Sequence, residues 1–224
     1  MENIITAKGI KKEFPIAGGG TFCALKGLEL EIGRGQLVIL RGRSGSGKTT
    51  LMNILSALDN PTAGEIFFNG ADITRMGEKQ RSKLRRYQIG FVFQSVALVP
   101  MMTAMENVEF SLRLSRYKGN RKKRAEECLK LVGLANRAQH LPQELSGGEQ
   151  QRVAIARAIA HKPEIIFADE PTAELDTNTG LQVVKIFKEL AALEGVTIVM
   201  TTHDTGLMEI GDKVYQLEDG EFVE

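Results

Sequence analysis

The chain has 224 residues, enough for one large or two small domains with a sizeable core, and its 42% hydrophobic and 25% charged content is that of an ordinary soluble globular protein. Twenty-nine Lys and Arg against 28 Asp and Glu leave a net charge of +1, which argues against a dedicated nucleic-acid binder. No apolar run reaches the roughly 18 residues a membrane span needs. Met1–Lys8 is short and carries Glu2, so no signal peptide is expected. Cys23 and Cys128 lack metal-type spacing and read as unpaired thiols of a reducing, cytoplasmic compartment.

In chain order, Ile4–Ile10 and Leu28–Ile32 alternate apolar and polar residues and predict half-buried strands. Phe14 lies just before a glycine-rich tip; it reads either as a hairpin aromatic or as a flat face for a nucleotide base. Gln36–Arg41 is an apolar run expected as a buried strand. Gly42-Arg43-Ser44-Gly45-Ser46-Gly47-Lys48-Thr49-Thr50 follows, and Thr50–Leu58 has helical apolar spacing. Strand, glycine loop and helix in that order are the context of a phosphate-binding loop. Its glycines let successive N–H groups turn inward on an anion, and the helix adds its positive end. Lys48 can reach the β- and γ-phosphates, and the Thr49 hydroxyl can ligate Mg²⁺.

Beyond the turn at Asp59–Gly64, Glu65–Phe68 and Asn69-Gly70 predict a strand and a hairpin turn. Arg75–Tyr87 is polar and reads as a solvated helix face. Ile89–Phe93 predicts a buried strand ended by Gln94, which either caps it or reaches a metal-bound water or the γ-phosphate. Thr103–Leu114 and Arg121–Leu131 are expected as helices, preceded by an apolar cluster (Leu98, Val99, Met101, Met102, Met105) that suits core packing or protein docking. Arg121–Arg124 reads as solvated, with a second reading as a membrane-surface contact. Ser146 and Glu149 form a capping box ahead of Gln150–Ala160, and Gly147 and Gly148 make that helix start a second anion site. Glu164–Ala168 is a buried strand tipped by Asp169-Glu170, one carboxylate suited to Mg²⁺ and the other to water. His203 follows the strand Val196–Thr201, and Lys213–Val223 closes as a hairpin. The expected fold is α/β with a mostly parallel sheet, an N-terminal antiparallel piece and an inserted helical subdomain.

These residues resemble the ATP-binding subunits of ABC transporters over essentially the whole chain. Gly42–Thr49 matches the Walker A loop, Gln94 the Q-loop, Leu145–Glu149 (LSGGE) the signature, Ile165–Asp169 Walker B, Glu170 the glutamate after it, Glu174–Asp176 the D-loop and His203 the H-loop. Phe14 stands where the family commonly has a base-stacking tyrosine, and Ala173-Glu174 departs from its usual D-loop residues. FVFQ (91–94), Val99-Pro100, TAMENV (103–108) and EPTAELD (170–176) are similar to the group serving macrolide exporters, lipoprotein-releasing complexes and antimicrobial-peptide resistance.

The resemblance implies a single ABC ATPase domain over 1–224, with a nucleotide-binding core at 1–74 and 146–224 and a mainly helical subdomain at 75–145. It implies a head-to-tail homodimer with ATP between Walker A of one chain and LSGGE of the other. ATP would meet Phe14, Gly42–Thr50, Ser146, Gly147, Gly148, Glu149 and Asp176. Mg²⁺ would be held by Thr49, Gln94 and Asp169. Lys48, Gln94, Glu170 and His203 would carry catalysis, Glu170 by orienting the attacking water. The partner would be an integral membrane permease, holding the chain peripherally on the inner face of the membrane. Export or extracytoplasmic work is the expected outcome; the alternatives are an import-type subunit or a soluble ABC ATPase. One Walker A, one signature and no sustained heptads disfavour the soluble types.

Overall fold

The computed structural model describes residues 2–223; Met1 and Glu224, the two ends of the expected domain, and the side chains of Thr205 and Met208 lie outside the described residues. Strands β1 (Asn3–Pro15) and β2 (Thr21–Gly33) form one long antiparallel hairpin. Both run several residues beyond the alternating segments that predict them, because cross-strand pairing carries them out to Phe14↔Phe22 and Pro15↔Thr21. β4 (Ala63–Phe68) adds to β1 and β5 (Ala71–Asp72) to β4, giving an antiparallel sheet in the order β2-β1-β4-β5.

The second sheet runs β10-β9-β3-β8-β7-β6, with β3 (Leu37–Arg41), β6 (Ile89–Val92), β7 (Ile165–Ala168), β8 (Thr197–Thr202), β9 (Lys213–Glu218) and β10 (Glu221–Val223). All its pairs are parallel except the closing β9–β10 hairpin. The parallel strands are buried on both faces, so their sequences are continuous apolar runs. Alternate residues serve different cores: Leu37, Ile39, Ile166 and Ile198 pack toward the helices, while Val38, Leu40, Phe167 and Val199 pack toward the antiparallel sheet and α1 (Lys48–Leu55).

The remaining helices are α2 (Glu78–Gln88), α3 (Ala104–Leu114), α4 (Arg121–Leu131), α5 (Gly147–Ile159) and α6 (Thr177–Glu194). Thr103 and Glu106 cap α3 with a reciprocal box, and Asn120 caps α4. α6 falls in a stretch to which the sequence reading assigns no element. Asp176 starts it by accepting from the Asn178 and Thr179 N–H groups, and Gly195 in a left-handed conformation ends it. Within 75–145, β6 lies between α2 and α3 as a strand of the parallel sheet, so that stretch is helical on both sides of a core strand.

In each of two charged runs read as solvated, most cations are exposed and one arginine is buried. Arg81 is buried; its Nε and Nη2 donate to the Ala57 carbonyl at 3.0 and 2.8 Å, and Nη1 bonds Asn60. Arg124 is also buried, donating to the Ala160 and Ile159 carbonyls at the end of α5. Each cation satisfies orphan backbone carbonyls near a helix C-terminus, where positive charge is favoured. The apolar cluster divides: Met105 is buried in the core, whereas Met101 is 87% exposed.

Candidate nucleotide site

Because β3, β6, β7 and β8 are parallel neighbours, their C-terminal ends share one edge of the sheet, where ligands of α/β folds gather. That edge receives the glycine loop after β3, Gln94 beyond β6, Asp169-Glu170 after β7 and His203 after β8. The loop wraps tightly. Gly47 caps α1 with φ 107°, and a Cβ there would come within 2.9 Å of the Ala24 carbonyl and Leu25 Cδ2. Gly220 of the C-terminal hairpin donates to the Ser46 carbonyl at 3.1 Å and anchors the loop from behind.

Lys48 lies almost fully buried inside the loop. Its Nζ donates to the carbonyls of Gly42 at 2.8 Å and Arg43 at 3.1 Å and sits 3.5 Å from Glu170 Oε1. His203 Nδ1 is 3.4 Å from the other Glu170 oxygen. Asp169 Oδ1 accepts from Thr201 Oγ1 at 2.6 Å and Thr49 Oγ1 at 3.3 Å. Glu170 holds a left-handed φ of 44°, a conformation that side chains other than glycine adopt at a cost, and its N–H donates to Thr201 Oγ1 at 2.8 Å. Thr201 therefore ties both carboxylate residues together. The sequence reading passes over it as a strand residue; its signal is the Thr201-Thr202 pair one step before His203.

A cleft of about 200 Å³ opens beside the loop, lined by Phe14, Phe22, Ser44, Lys48, Thr50 and Glu170 among others. Phe14 is 39% and Phe22 56% exposed, and as direct cross-strand partners they project to the same side of the hairpin. Phe22 is a second aromatic at this cleft that the sequence reading does not single out; only the hairpin register reveals it. Gln94 is brought to the same edge but stays exposed, and among the described residues no hydrogen bond joins it to Thr49 or Asp169.

The LSGGE residues lie elsewhere. Ser146, Gly147, Gly148, Glu149 and Asp176 line a separate polar cleft of about 440 Å³ with Arg152 and Thr179. Ser146 and Glu149 form the expected box: the Ser146 hydroxyl accepts from Glu149 N–H at 3.3 Å, and Glu149 Oε2 accepts from Ser146 N–H at 2.9 Å. The two Ser146 hydrogen bonds, with Arg137 beside it, hold the Glu149 carboxyl below its ordinary value of 4.5. Gly148 has a packing reason of its own, since a Cβ would overlap Thr179 Cγ2 across the α5–α6 contact.

The donor set fits a triphosphate and a hard cation. Gly45, Gly47, Lys48, Thr49 and Thr50 line the cleft beside the start of α1, an arrangement of loop N–H groups and a cation that suits an anion entering there. Thr49 and Asp169 offer oxygen donors. Among the described residues no group of three or more His, Cys, Asp or Glu is placed to hold a metal ion by itself, so a cation here would share its shell with phosphates and water, as Mg²⁺ prefers.

A phosphate loop on a parallel sheet, with paired carboxylates at a strand tip on the same edge, defines a P-loop ATPase. The family model for ABC transporters matches residues 25–173, and the chain belongs to that family as one of its ATP-binding subunits. An uncharacterized ABC transporter ATP-binding protein of Methanocaldococcus jannaschii, MJ1508, is 46% identical over 99% of this chain and 98% of that protein. The lipoprotein-releasing system ATP-binding protein LolD of Bacteroides thetaiotaomicron is 44% identical over 97% and 98%. The macrolide export ATP-binding/permease protein MacB of Agrobacterium fabrum is 44% identical over 98% of this chain but only 34% of that longer protein. The dimeric M. jannaschii cassette MJ0796, solved in a post-hydrolysis state with ADP and Pi, superposes with a TM-score of 0.88 at 42% identity, covering 98% and 97% of the two chains. These relatives match the macrolide and lipoprotein-releasing group named from sequence.

Proposed function

We propose that the chain is the motor of a two-component export or extrusion machine, hydrolysing ATP at the interface of a head-to-tail homodimer to drive a membrane permease. The observation that carries the dimer is that its two anion-ready clefts share no residue. One γ-phosphate needs donors on several sides to stabilise transition-state charge. Lys48 and the loop N–H groups supply one side, and Ser146, Gly147 and Gly148 of a second copy the other. Phe14, flanked by Phe22, carries the base, while Asp176 both caps α6 and faces the shared interface.

Thr49 and Asp169 would hold Mg²⁺, with Gln94 reaching it directly or through water, and the ion would supply positive charge against the phosphates. Glu170 orients and deprotonates the attacking water. His203 steadies Glu170 and reaches the γ-phosphate. Thr201 positions the Asp169-Glu170 pair.

A groove of about 550 Å³ between α2, the segment after β6 and α3 supports a permease partner. Phe93, Phe110 and Leu114 expose apolar surface there beside Arg85 and Arg86, and such patches mark interaction sites. The groove abuts the Gln94 segment, so nucleotide state and docking are mechanically adjacent. Purifying the tagged chain from detergent-solubilised membranes tests this reading. Copurification of a permease with few spans and a large extracytoplasmic domain is expected. A many-span permease with a binding protein would make it an import subunit, and soluble partners alone would overturn the transport role.

A further inference from the structure

The net charge of +1 conceals a strong asymmetry. Residues 75–124 hold 13 Lys and Arg against three Glu, a net of +10, and the other residues hold 16 against 25, a net of −9. Two of those cations, Arg81 and Arg124, are buried structural groups, but most stand in solvent. On α2, Lys79, Lys83 and Arg86 are exposed at spacings of four and three, which sets them in one stripe. Arg86 is also a wall of the apolar groove. On the other side, Leu114 and Ser115 line the same groove. Arg116 and Lys118 follow them directly, and Arg121, Lys122 and Lys123 open α4, all exposed. Among the described residues none of these eight cations has a carboxylate within ion-pair distance, although the chain pairs Arg75, Arg85 and Arg113 nearby.

We propose that this cationic rim binds the anionic lipid surface of a bilayer beside the docked permease. The orientation rests on the groove reading above: a groove seated on a membrane protein turns its rim toward the lipid around that protein. Unpaired Lys and Arg ringing exposed Phe93, Phe110 and Leu114 have the character of an interfacial surface. Each cation near an anionic leaflet adds about 1 kcal/mol, so five to eight suffice for binding that salt can reverse. Leaving them unpaired is costly only when no polyanion is near, since like charges crowded on α2 and at the start of α4 repel. Nucleic acid would satisfy the same charges, but its bases would need the aromatic floor that the permease covers.

Flotation of the purified full chain with phosphatidylcholine vesicles, with and without phosphatidylglycerol, tests the inference. Binding to the anionic vesicles at low salt is expected, with loss in neutral vesicles and at high salt. Replacing Arg116, Lys118, Arg121, Lys122 and Lys123 together by Gln should weaken it by at least about tenfold. ATP affinity reports that the variant is folded, since none of these residues lies near the nucleotide clefts. Equal binding to neutral vesicles, no effect of the Gln variant, or binding of poly(U) RNA with no binding of vesicles would overturn it. The vesicles contain no permease, so a failure here leaves the copurification result standing. A failed copurification with vesicle binding intact would remove only the docking.

Discussion

Ser46 and Ser146 sit in glycine-rich turns at the heads of helices, and their hydroxyls are in opposite states. Ser146 exchanges hydrogen bonds with Glu149 and completes a box that satisfies the start of α5. Ser46 is buried in the phosphate loop with no partner. Around it, Lys48 turns its charge onto the loop's own carbonyls and toward Glu170, and Glu170 is held in a left-handed backbone. One half-site is self-sufficient, and an anion would add to it. The other carries a left-handed backbone at Glu170 and a cation partnered only by its own loop and Glu170, for which an anion would be a stronger partner. The phosphate-loop side is therefore where ligand binding and chemistry are expected to be sensitive, and the LSGGE side is where stability and ligand roles overlap and must be separated.

The largest effect is expected from Glu170→Gln. Loss of a general base lowers turnover by about 10²–10⁴-fold, while ATP binding persists and the dimer accumulates on a sizing column. Wild-type turnover would refute the role. Lys48→Ala should lower ATP affinity by roughly 10–100-fold, the worth of a charged hydrogen-bonding partner; unchanged affinity in a fluorescent-nucleotide titration would remove Lys48 from binding. On the opposite side, Ser146→Ala should cost about 1 kcal/mol of stability through the lost cap, whereas Ser146→Asp keeps a good cap and leaves stability near wild type. The Asp variant should nonetheless lose ATP-driven dimerisation, because in the proposed dimer its carboxylate would face the partner's γ-phosphate. An Asp variant that dimerises normally would leave Ser146 a cap only.

The same contrast explains what was legible in the sequence. The phosphate loop, the strand-tip carboxylates and the LSGGE box are local: their spacing alone places them at strand and helix ends, and parallel strands then gather the first two on one edge. Contacts made at long range carry no such spacing. Arg81 and Arg124 stand among exposed cations, and nothing in RSKLRR or RKKR marks which one turns inward to a distant helix end. Thr201 looks like any β-branched strand residue until Asp169 and Glu170 are beside it. Phe22 becomes a companion of Phe14 only through the hairpin register. α6 is a different case. Val183, Val184, Phe187 and Leu190 do have helical spacing, but Thr177-Asn178-Thr179-Gly180 has loop composition, and only Asp176 capping two N–H groups turns it into a first helical turn.

The smallest effect concerns the charge of the self-sufficient half-site. Glu149 has its carboxyl held below 4.5 chiefly by the Ser146 backbone N–H, then by the Ser146 hydroxyl and Arg137. A carboxylate depressed in the folded state adds stability that is present above its unfolded value and is lost as pH falls through the folded one. Glu149→Gln retains a residue able to complete the box but does not titrate. Wild type should therefore melt above the Gln variant at neutral pH, and the gap should close as pH falls below 4.5. Other depressed carboxylates, among them Asp59 and Asp212, titrate in both proteins and cancel in the difference. A gap that persisted in acid would mean that the box holds α5 by shape and hydrogen-bond count alone. A gap that closes means that the charge of Glu149 itself stabilises the positive end of α5, which a partner's nucleotide bound as proposed would then share.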